Sequence, residues 1–471
     1  MDYYGIPSIG RPSELENTMN TTLNQQSNSL SYLIIGLGQT GLSCVRFLVK
    51  QGYNVAIMDT REQPPELVTL QTEYPEVIVH VGGLNAAWLK KADVIVLSPG
   101  VDPRLPEIVA ATQAGVELVG DIELFARYAN APIVAITGSN GKSTVTTLLA
   151  EMAEQAGVAI QVGGNLGTPA LDLICEPAPN FYIVELSSFQ LETVRSLNAF
   201  ASTVLNISPD HLDRYNSVED YQNVKSRIYN GDGVMVINCD EDIVNKLTLT
   251  GRNNIGFSLQ ETEGVDFGVI NQGGKQWLAV GKLALLVVEE LKIVGKHNIA
   301  NALAALALGS AMALPMADML MALKQYPGLP HRCRLVMEYE NIRWFNDSKA
   351  TNVGASVAAI EGLNAKGKII LIAGGVAKEQ DFSALVPSLK NYVHTVIVIG
   401  RDAKLIADIV PENIEIYYAA TMENAVIKSQ KIAVVGDNIL LSPACASFDM
   451  FSSYVERGNV FEAAVKALAC E

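Results

Sequence analysis

From Tyr32 onward, short runs of Ile, Val, Leu and Ala alternate with longer stretches in which apolar residues recur at helical spacing. Unbroken apolar runs of strand length predict strands covered on both faces, and their alternation with helices predicts α/β architecture with mostly parallel sheets. Strands are predicted at Tyr32–Ile35, Asn54–Met58, Asp93–Leu97, Ile133–Thr137, Tyr182–Glu185 and Thr203–Asn206, and again at Lys368–Ala373, Thr395–Gly400 and Asn438–Ser442. One helix is predicted from His297 to about Met312 and another around Tyr221–Ile228. Most of these strands end at or beside Gly, Ser or Asp, and open α/β sheets bind ligands at such carboxyl ends.

Punctuation divides the pattern. Tyr326-Pro-Gly-Leu-Pro330 reads as a linker, and 471 residues accommodate roughly three domains. The expected boundaries are a polar extension over 1–30, then domains over 31–121, 122–328 and 329–471. The extension is rich in Asn, Ser and Thr, lacks the basic-then-apolar order of a secretory signal, and is expected to be disordered. No apolar run reaches the ~20 residues that cross a bilayer.

Charge and cysteine content narrow the function classes. Against 50 Asp and Glu stand 34 Lys and Arg, a net charge of −16. That excess argues against general binding to nucleic acid or anionic membranes, yet leaves room for a phosphate at a local glycine turn. The six cysteines (Cys44, Cys175, Cys239, Cys333, Cys445, Cys470) are scattered without a CxxC pair. That argues against zinc and fits a reducing cytoplasm.

Two glycine turns carry the strongest chemistry. The run Ile133–Thr137 ends in Gly138-Ser139-Asn140-Gly141-Lys142-Ser143-Thr144. A strand, a glycine turn and a helix start aim backbone N–H groups and the helix dipole at one point. There Lys142 can reach terminal phosphates and the Ser143 hydroxyl can hold magnesium, which indicates an ATP-using enzyme. The spacing between the glycines is shorter than in a standard Walker loop. The second turn is Gly36-x-Gly38-Gln39-Thr40-Gly41, with Asp59, Thr60 and Arg61 downstream. It fits NAD, another diphosphate such as a UDP-sugar, or a ligand-free strand–helix turn.

Other polar groups are weaker signals individually. Glu185 ends a strand, where a carboxylate can hold magnesium or simply face water. His211 stands among Asp210 and Asp213, although a lone histidine is more often structural. Lys225 on its helix reads, from the residues alone, as a solvated lysine. Asn298 can read a base edge or cap a helix. In the last third, Asn346–Asn352, Gly374–Lys378 and Ser442–Asp449 are three polar loops at strand ends, which together suggest a third ligand.

Jointly these motifs resemble the Mur ligases, in their D-glutamate-adding branch, from about Tyr32 to the C-terminus. The resemblance rests on Gly138–Ser143, Gly163-Gly-Asn165-Leu-Gly167, Glu185-Leu-Ser-Ser-Phe-Gln190, Asp210–Arg214, His297-Asn298, His331-Arg332, Asn346–Asn352 and Ser442–Ser447. It accounts for the short phosphate loop. It implies a Rossmann-like N-terminal nucleotide domain, a central P-loop ATPase-like domain and a C-terminal Rossmann-like domain. By this likeness Gly36, Gly38, Gln39, Thr40, Gly41, Asp59, Thr60, Arg61, Ser98, Gly100 and Asn165 would hold the UDP substrate instead of NAD. Gly138, Ser139, Asn140, Gly141, Lys142, Ser143, Thr144, Asn298, Arg332 and Asp347 would bind ATP. Ser143, Glu185, His211 and Lys225 would hold magnesium, in two ions, with Lys225 as a carbamate; this overrules the solvated reading. His211, Lys349, Thr351, Lys378, Ser447 and Tyr454 would receive D-glutamate. The implied catalytic set is Lys142, Glu185, His211, Lys225 and Lys349.

The implied activity is ATP-dependent addition of D-glutamate to UDP-N-acetylmuramoyl-L-alanine through an acyl phosphate, by a cytoplasmic monomer of peptidoglycan precursor synthesis. The chain departs from the pattern in two places: the Gly374-Gly375-Val-Ala run before Lys378, where relatives carry Asp-Gly, and Tyr454, where Phe is usual. Alternatives are a folylpolyglutamate-synthetase-like ligase, which lacks the first nucleotide block, another Mur branch, an NAD(P)-dependent dehydrogenase, which leaves the phosphate loop unexplained, and a nucleotide-switch ATPase. With ligands spread over separate blocks, the last is expected to close on the middle one by a hinge near Pro327–Pro330. Small-angle scattering should then show a more compact particle with ATP analogue plus nucleotide substrate; superimposable profiles would count against closure.

Overall fold

The computed structural model describes residues 30–208, 214–260, 265–363, 368–377 and 380–468. The polar extension up to residue 29, His211 and Lys378 lie outside them. Packing divides the chain into two compact units. The first spans Met1–Thr137, Ala159–Ser202 and Asp213–Gly233; the second spans Gly138–Val158, Thr203–Leu212 and Val234–Glu471.

In the first unit, β1 (Ser31–Ile35), β2 (Asn54–Asp59), β3 (Ile78–Val81), β4 (Val94–Leu97) and β5 (Glu117–Gly120) form a sheet in the order β3-β2-β1-β4-β5. Every pairing in it is parallel. The order reverses direction at β1, so the carboxyl ends of β1 and β4 open a crevice at a topological switch point. Leu33, Ile35, Met58, Ile95 and Leu97 point into one core with Trp88 and Ile108. Beside this sheet's residues the unit contains three further parallel strands, β6 (Ile133–Thr137), β7 (Ile160–Gly164) and β8 (Phe181–Glu185), in the order β6-β8-β7.

The next strand, β9 (Ala201–Val204), is shared between the units. In the second unit, β10 (Val234–Asn238), β11 (Asn254–Phe257) and β12 (Phe267–Gln272) pair in parallel, and β13 (Lys275–Val280) and β14 (Leu283–Val287) continue them antiparallel. The last sheet has the order β15-β16-β20-β17-β18-β19, from β15 (Arg334–Tyr339), β16 (Ile342–Asn346), β17 (Ile369–Gly374), β18 (Val393–Ile399), β19 (Glu415–Tyr418) and β20 (Asn438–Leu441). Only β15 runs antiparallel to its neighbour.

The apolar runs of this sheet have a simple cause. Successive strand residues face opposite sides. Leu371, Ala373, Val396, Val398 and Leu440 enter one core with Ile360 and Leu389. The alternate residues Ile370, Ile372, Ile397, Ile399, Ile439 and Leu441 enter the other with Val426 and Phe461. Helices on both faces therefore demand apolar residues at the central positions of these strands.

The predicted strands recur within two residues and the helix expected from His297 within one, while the helix expected around Tyr221 starts at Val218. The strand expected to run to Asn206 stops at Val204, because Leu205–Ser208 turn away to brace a loop described below. The sheets are mostly parallel, as expected, and the antiparallel strands β12–β15 lie among segments for which the apolar pattern predicted nothing.

At the start of the helix Asp121–Tyr128, the Asp121 carboxylate is buried and accepts a hydrogen bond from Gln190 Nε2 at 2.9 Å. Burial pushes its pKa up to about 6. Folding thus favours the protonated acid: its contribution to stability is full below the ordinary aspartate value and is lost as pH rises through about 6. Asp121→Asn keeps an oxygen for Gln190 without the charge. Denaturant melts of both proteins should show the variant gaining about 1–3 kcal/mol relative to wild type between about pH 4 and about pH 7. A difference that stays flat over this range would refute the linkage.

Candidate functional site

The first unit presents two clusters at strand ends. After β1 the chain turns through Gly36 at φ +98°, and Gly41 packs so closely on the Gly36 carbonyl that a Cβ would collide with it. Ser98, following β4, donates from Oγ to the Gly36 carbonyl at 2.9 Å. Gln39, Thr40 and Gly41 open α1 (Gln39–Lys50), whose first amides lack intrahelical partners and favour an anion. Thr60, Arg61 and Gly100 stand exposed around this turn.

Asp59 is more committed than the sequence indicated. Its Oδ2 accepts from Leu37 N at 2.7 Å and Arg61 Nη2 at 2.6 Å, and its Oδ1 from Arg61 N at 2.8 Å and Arg61 Nε at 2.9 Å. These bonds hold its pKa below the usual carboxylate range despite burial. A carboxylate offers about four acceptor directions, so a ligand hydroxyl must take a place that Arg61 or Leu37 now fills.

The second cluster lies at the ends of β6, β7 and β8. Asn165 N donates to the Glu185 carbonyl at 2.8 Å, and Asn165 Nδ2 to Glu185 Oε1 at 2.6 Å. Glu185 Oε2 is buried without a hydrogen-bond partner among the described residues. Lys225, on α2 (Val218–Ser226), is only 1% exposed, so it is not a solvated lysine. Its Nζ donates to Thr137 Oγ1 at 3.2 Å and lies 4.8 Å from the Tyr221 ring centroid. The Thr137 hydroxyl passes its own proton to the Leu186 carbonyl at 2.7 Å. Among the described residues no group of three or more His, Cys, Asp or Glu gathers. The donor chemistry nevertheless fits a hard cation, because Glu185 offers a buried anionic oxygen with a free lone pair.

The second unit holds the phosphate loop. Gly138 and Gly141 adopt φ +153° and +84°, and a Cβ on Gly141 would strike Asn301 Oδ1. The loop is braced from behind. Ser139 N donates to the Asn206 carbonyl at 3.0 Å, Asn140 N to Asn206 Oδ1 at 2.8 Å, and Asn206 Nδ2 to the Asn140 carbonyl at 3.1 Å. Ser208 N donates to Ser139 Oγ at 3.0 Å. The Lys142 ammonium folds back on the Gly138 and Ser139 carbonyls at 2.9 and 3.0 Å. Ser143 and Thr144 are buried in the first turn of α3 (Lys142–Gln155).

Residues from later in the chain converge on this loop. Asn298, near the start of α4 (Lys296–Ala311), donates to the Val294 carbonyl at 2.8 Å and accepts from Asn301 Nδ2 at 3.2 Å. Arg332 Nη2 donates to Ser143 Oγ at 2.7 Å. Its neighbours His331 and Cys333 both have positive φ, +62° and +48°, a costly arrangement for non-glycine residues that presents Arg332. The linker residue Tyr326 is pinned to the same helix by a hydroxyl bond to Thr147 Oγ1 at 2.7 Å.

Asp347 accepts from Cys333 N at 3.0 Å and Ser442 Oγ at 2.8 Å, and burial pushes its pKa up to about 7. Lys349 Nζ lies 4.0 Å from the centroid of the Tyr454 ring, so the atypical aromatic still meets its lysine. The Thr351 carbonyl lies 3.4 Å from its donor, Gln380 Nε2, and Ser447 is buried at the end of the β20 loop.

Sequence reasoning gave no role to Asn206, Ser208, Asn301 or Arg457. Asn301 was legible, since it stands three residues after Asn298 on a helix and so shares its face. Arg457, on α5 (Tyr454–Leu468), had no signal, for an arginine on an amphipathic helix reads as solvated. It is 1% exposed. Its Nε donates to Ser348 Oγ at 3.0 Å, Nη2 to the Ser348 carbonyl at 2.7 Å and Nη1 to the Cys445 carbonyl at 3.0 Å. One guanidinium thus fixes the loops that carry Lys349 and Ser447.

Comparison with known proteins gives three consecutive stretches. Residues 30–120 match the family model described as Mur ligase MurD-like, N-terminal domain; residues 136–309 match Mur ligase middle domain; residues 331–445 match Mur ligase, glutamate ligase domain. A UDP-N-acetylmuramoylalanine–D-glutamate ligase from Nitrosococcus oceani is 49% identical over 450 residues, covering 96% of this chain and 99% of its own. The enzyme of that name from Pseudomonas aeruginosa is 49% identical, covering 93% and 98%. Among solved structures, a pseudomurein peptide ligase type C from Methanothermus fervidus shares the fold, with TM-score 0.61, 18% identity, and coverage of 93% of this chain and 100% of that one.

Replacing Arg457 by Met would strand buried carbonyls at Ser348 and Cys445. Each orphaned acceptor costs about 1–3 kcal/mol, so urea denaturation should show a loss of about 3 kcal/mol or more. Arg457→Lys, which keeps the charge but not the planar fork, should fall between. A Met variant as stable as wild type would refute the clamp.

Proposed function

The chain belongs to the Mur ligase family, and we propose that it joins D-glutamate to UDP-N-acetylmuramoyl-L-alanine, forming ADP and phosphate, in cytoplasmic synthesis of peptidoglycan precursors. The observation that carries this reading is the end-to-end likeness, at 49% identity over 96% of the chain, to ligases named for that reaction. The braced phosphate loop supports it independently.

The reaction must turn a carboxylate, a poor electrophile, into an amide. ATP phosphorylates the carboxylate of the nucleotide substrate, the amine of D-glutamate attacks the acyl phosphate, and the tetrahedral intermediate expels phosphate. No side-chain nucleophile is needed. The first step brings two anions together, so the work of the chain is to place them and to stabilise charge on the transferring group. The loop amides and Lys142 take the phosphates, and Arg332, already at Ser143, adds a second cation. The β1 turn with Asp59, Thr60, Arg61, Ser98 and Gly100 takes the UDP moiety, while Asn165 takes the muramoyl group. Lys349, Thr351, Lys378, Ser447 and Tyr454 receive D-glutamate, and Asn298 and Asp347 contact ATP.

By the family likeness Ser143, Glu185, His211 and Lys225 would hold magnesium, which would offset the repulsion between phosphate and carboxylate; the buried Oε2 of Glu185 suits that role. An ammonium buried as deeply as that of Lys225 is a poor companion for a cation. Reaction of its neutral amine with carbon dioxide, releasing one proton, gives an anionic carbamate that suits the role.

The test is phosphate release from ATP with UDP-N-acetylmuramoyl-L-alanine and magnesium, with D-glutamate, L-glutamate, L-alanine or L-lysine supplied separately. Release with D-glutamate alone, with a product heavier by one glutamyl residue, is the expected result. Turnover with another amino acid would move the chain to another branch, and hydrolysis without any amino acid would overturn the ligase reading.

A further inference from the structure

Arg214 and Tyr215 close the Asp210–Arg214 motif region, and neither has a part in the chemistry above. In the first unit the Arg214 guanidinium joins three features. Its Nη2 and Nε grip the Glu192 carboxylate at 2.6 and 3.2 Å, a pair in which the side chains are only 10% and 9% exposed. Its Nη2 also donates to the Val101 carbonyl at 3.0 Å. Its face covers the Phe189 ring, 4.7 Å from the centroid.

Each partner leads to a different part of the substrate path. Val101 N donates to the Ser98 carbonyl at 3.0 Å, and Ser98 Oγ to Gly36, so the arginine is tied to the turn expected to hold the UDP moiety. Phe189 and Glu192 belong to the short helix Ser188–Leu191 and its end, just after Glu185. Tyr215 extends the contact. Its ring stacks on Phe189 at 6.2 Å and 24°, and packs against Tyr221 at 5.3 Å and 52°. The Tyr221 ring in turn lies under the Lys225 ammonium.

We propose that Arg214 and Tyr215 are positioning residues for the ligase reaction: they hold the Ser98–Val101 turn in register with the segment that carries Glu185 and Lys225. The proposal rests on the function proposed above. A nucleotide-sugar substrate is held at its diphosphate end and reacts at its far carboxylate, so the two anchoring points must keep a fixed separation. A bidentate arginine is the side chain best suited to fix such a separation, because its planar fork accepts one geometry. An ion pair this buried contributes little net stability, which leaves geometry as its use.

Four variants test it: Arg214→Met, Arg214→Lys, Tyr215→Leu and Tyr215→Phe. In wild type, UDP-N-acetylmuramoyl-L-alanine should slow amide hydrogen exchange across residues 215–229. Arg214→Met and Tyr215→Leu should lose that protection, and their kcat should fall by about 10- to 100-fold, the cost of a misplacement near 1 Å, while KM for ATP stays unchanged. Arg214→Lys should recover part of kcat, and Tyr215→Phe, which keeps the ring, should match wild type. A folded Arg214→Met or Tyr215→Leu protein with wild-type kcat, or with undiminished substrate-dependent protection, overturns the proposal. Should Arg214→Met melt below the assay temperature, Tyr215→Leu decides by the same measurements. Wild-type enzyme that binds no nucleotide sugar would sink the function itself; wild-type turnover with normal variants would sink only the positioning role.

Discussion

A strand end can receive a triphosphate only if the turn that follows it holds one shape, and bare glycine turns do not hold a shape by themselves. In this chain the constraint is met by side-chain bracing. Asn206 makes three hydrogen bonds to the loop backbone, Ser208 secures Ser139, and Asn301 fills the space that makes Gly141 obligatory. The braces come from separate stretches of chain, Asn206 and Ser208 together from one of them. The end of β9, the long helix α4 and the residues after the linker are all committed to a few atoms around Gly138–Ser143.

The last third solves a related problem by other means. Its polar loops follow β16, β17 and β20, and a polar loop at a strand end has little apolar surface to hold it. A buried guanidinium supplies what packing cannot: Arg457 spends three donors on Ser348 and Cys445, and Asp347 completes the link through Ser442. The burial lowers the arginine's own pKa to about 10, still far above neutrality, so the clamp stays charged. The loops so held place Lys349 against the Tyr454 ring.

Much of this architecture was legible in the order of residues. Strands buried on both faces must be apolar throughout, so β1, β6, β17 and β18 announce themselves. Left-handed backbone favours glycine, so both ligand turns do too. The antiparallel strands β12–β15 were not legible from apolar runs, because they are partly exposed and mix Asn, Gln, Lys and Glu with apolar residues; the Gly273-Gly274 turn was the available cue. The depth of Lys225 and Arg457 was hidden for a different reason. Burial of a charged side chain is decided by partners distant in sequence, Thr137 for one and Ser348 and Cys445 for the other. Local pattern cannot report it, which is why Lys225 reads from the residues alone as solvated.

The posture of Lys142 has a wider consequence. Its ammonium rests on the Gly138 and Ser139 carbonyls, so the positive charge is held at the loop itself. An incoming ligand must outbid two neutral oxygens before it gains the lysine. A polyphosphate does so easily, since several anionic oxygens replace two carbonyl dipoles; a monophosphate or a stray carboxylate has far less to offer. The charge density of the ligand therefore sets how readily it draws the lysine away from the two carbonyls.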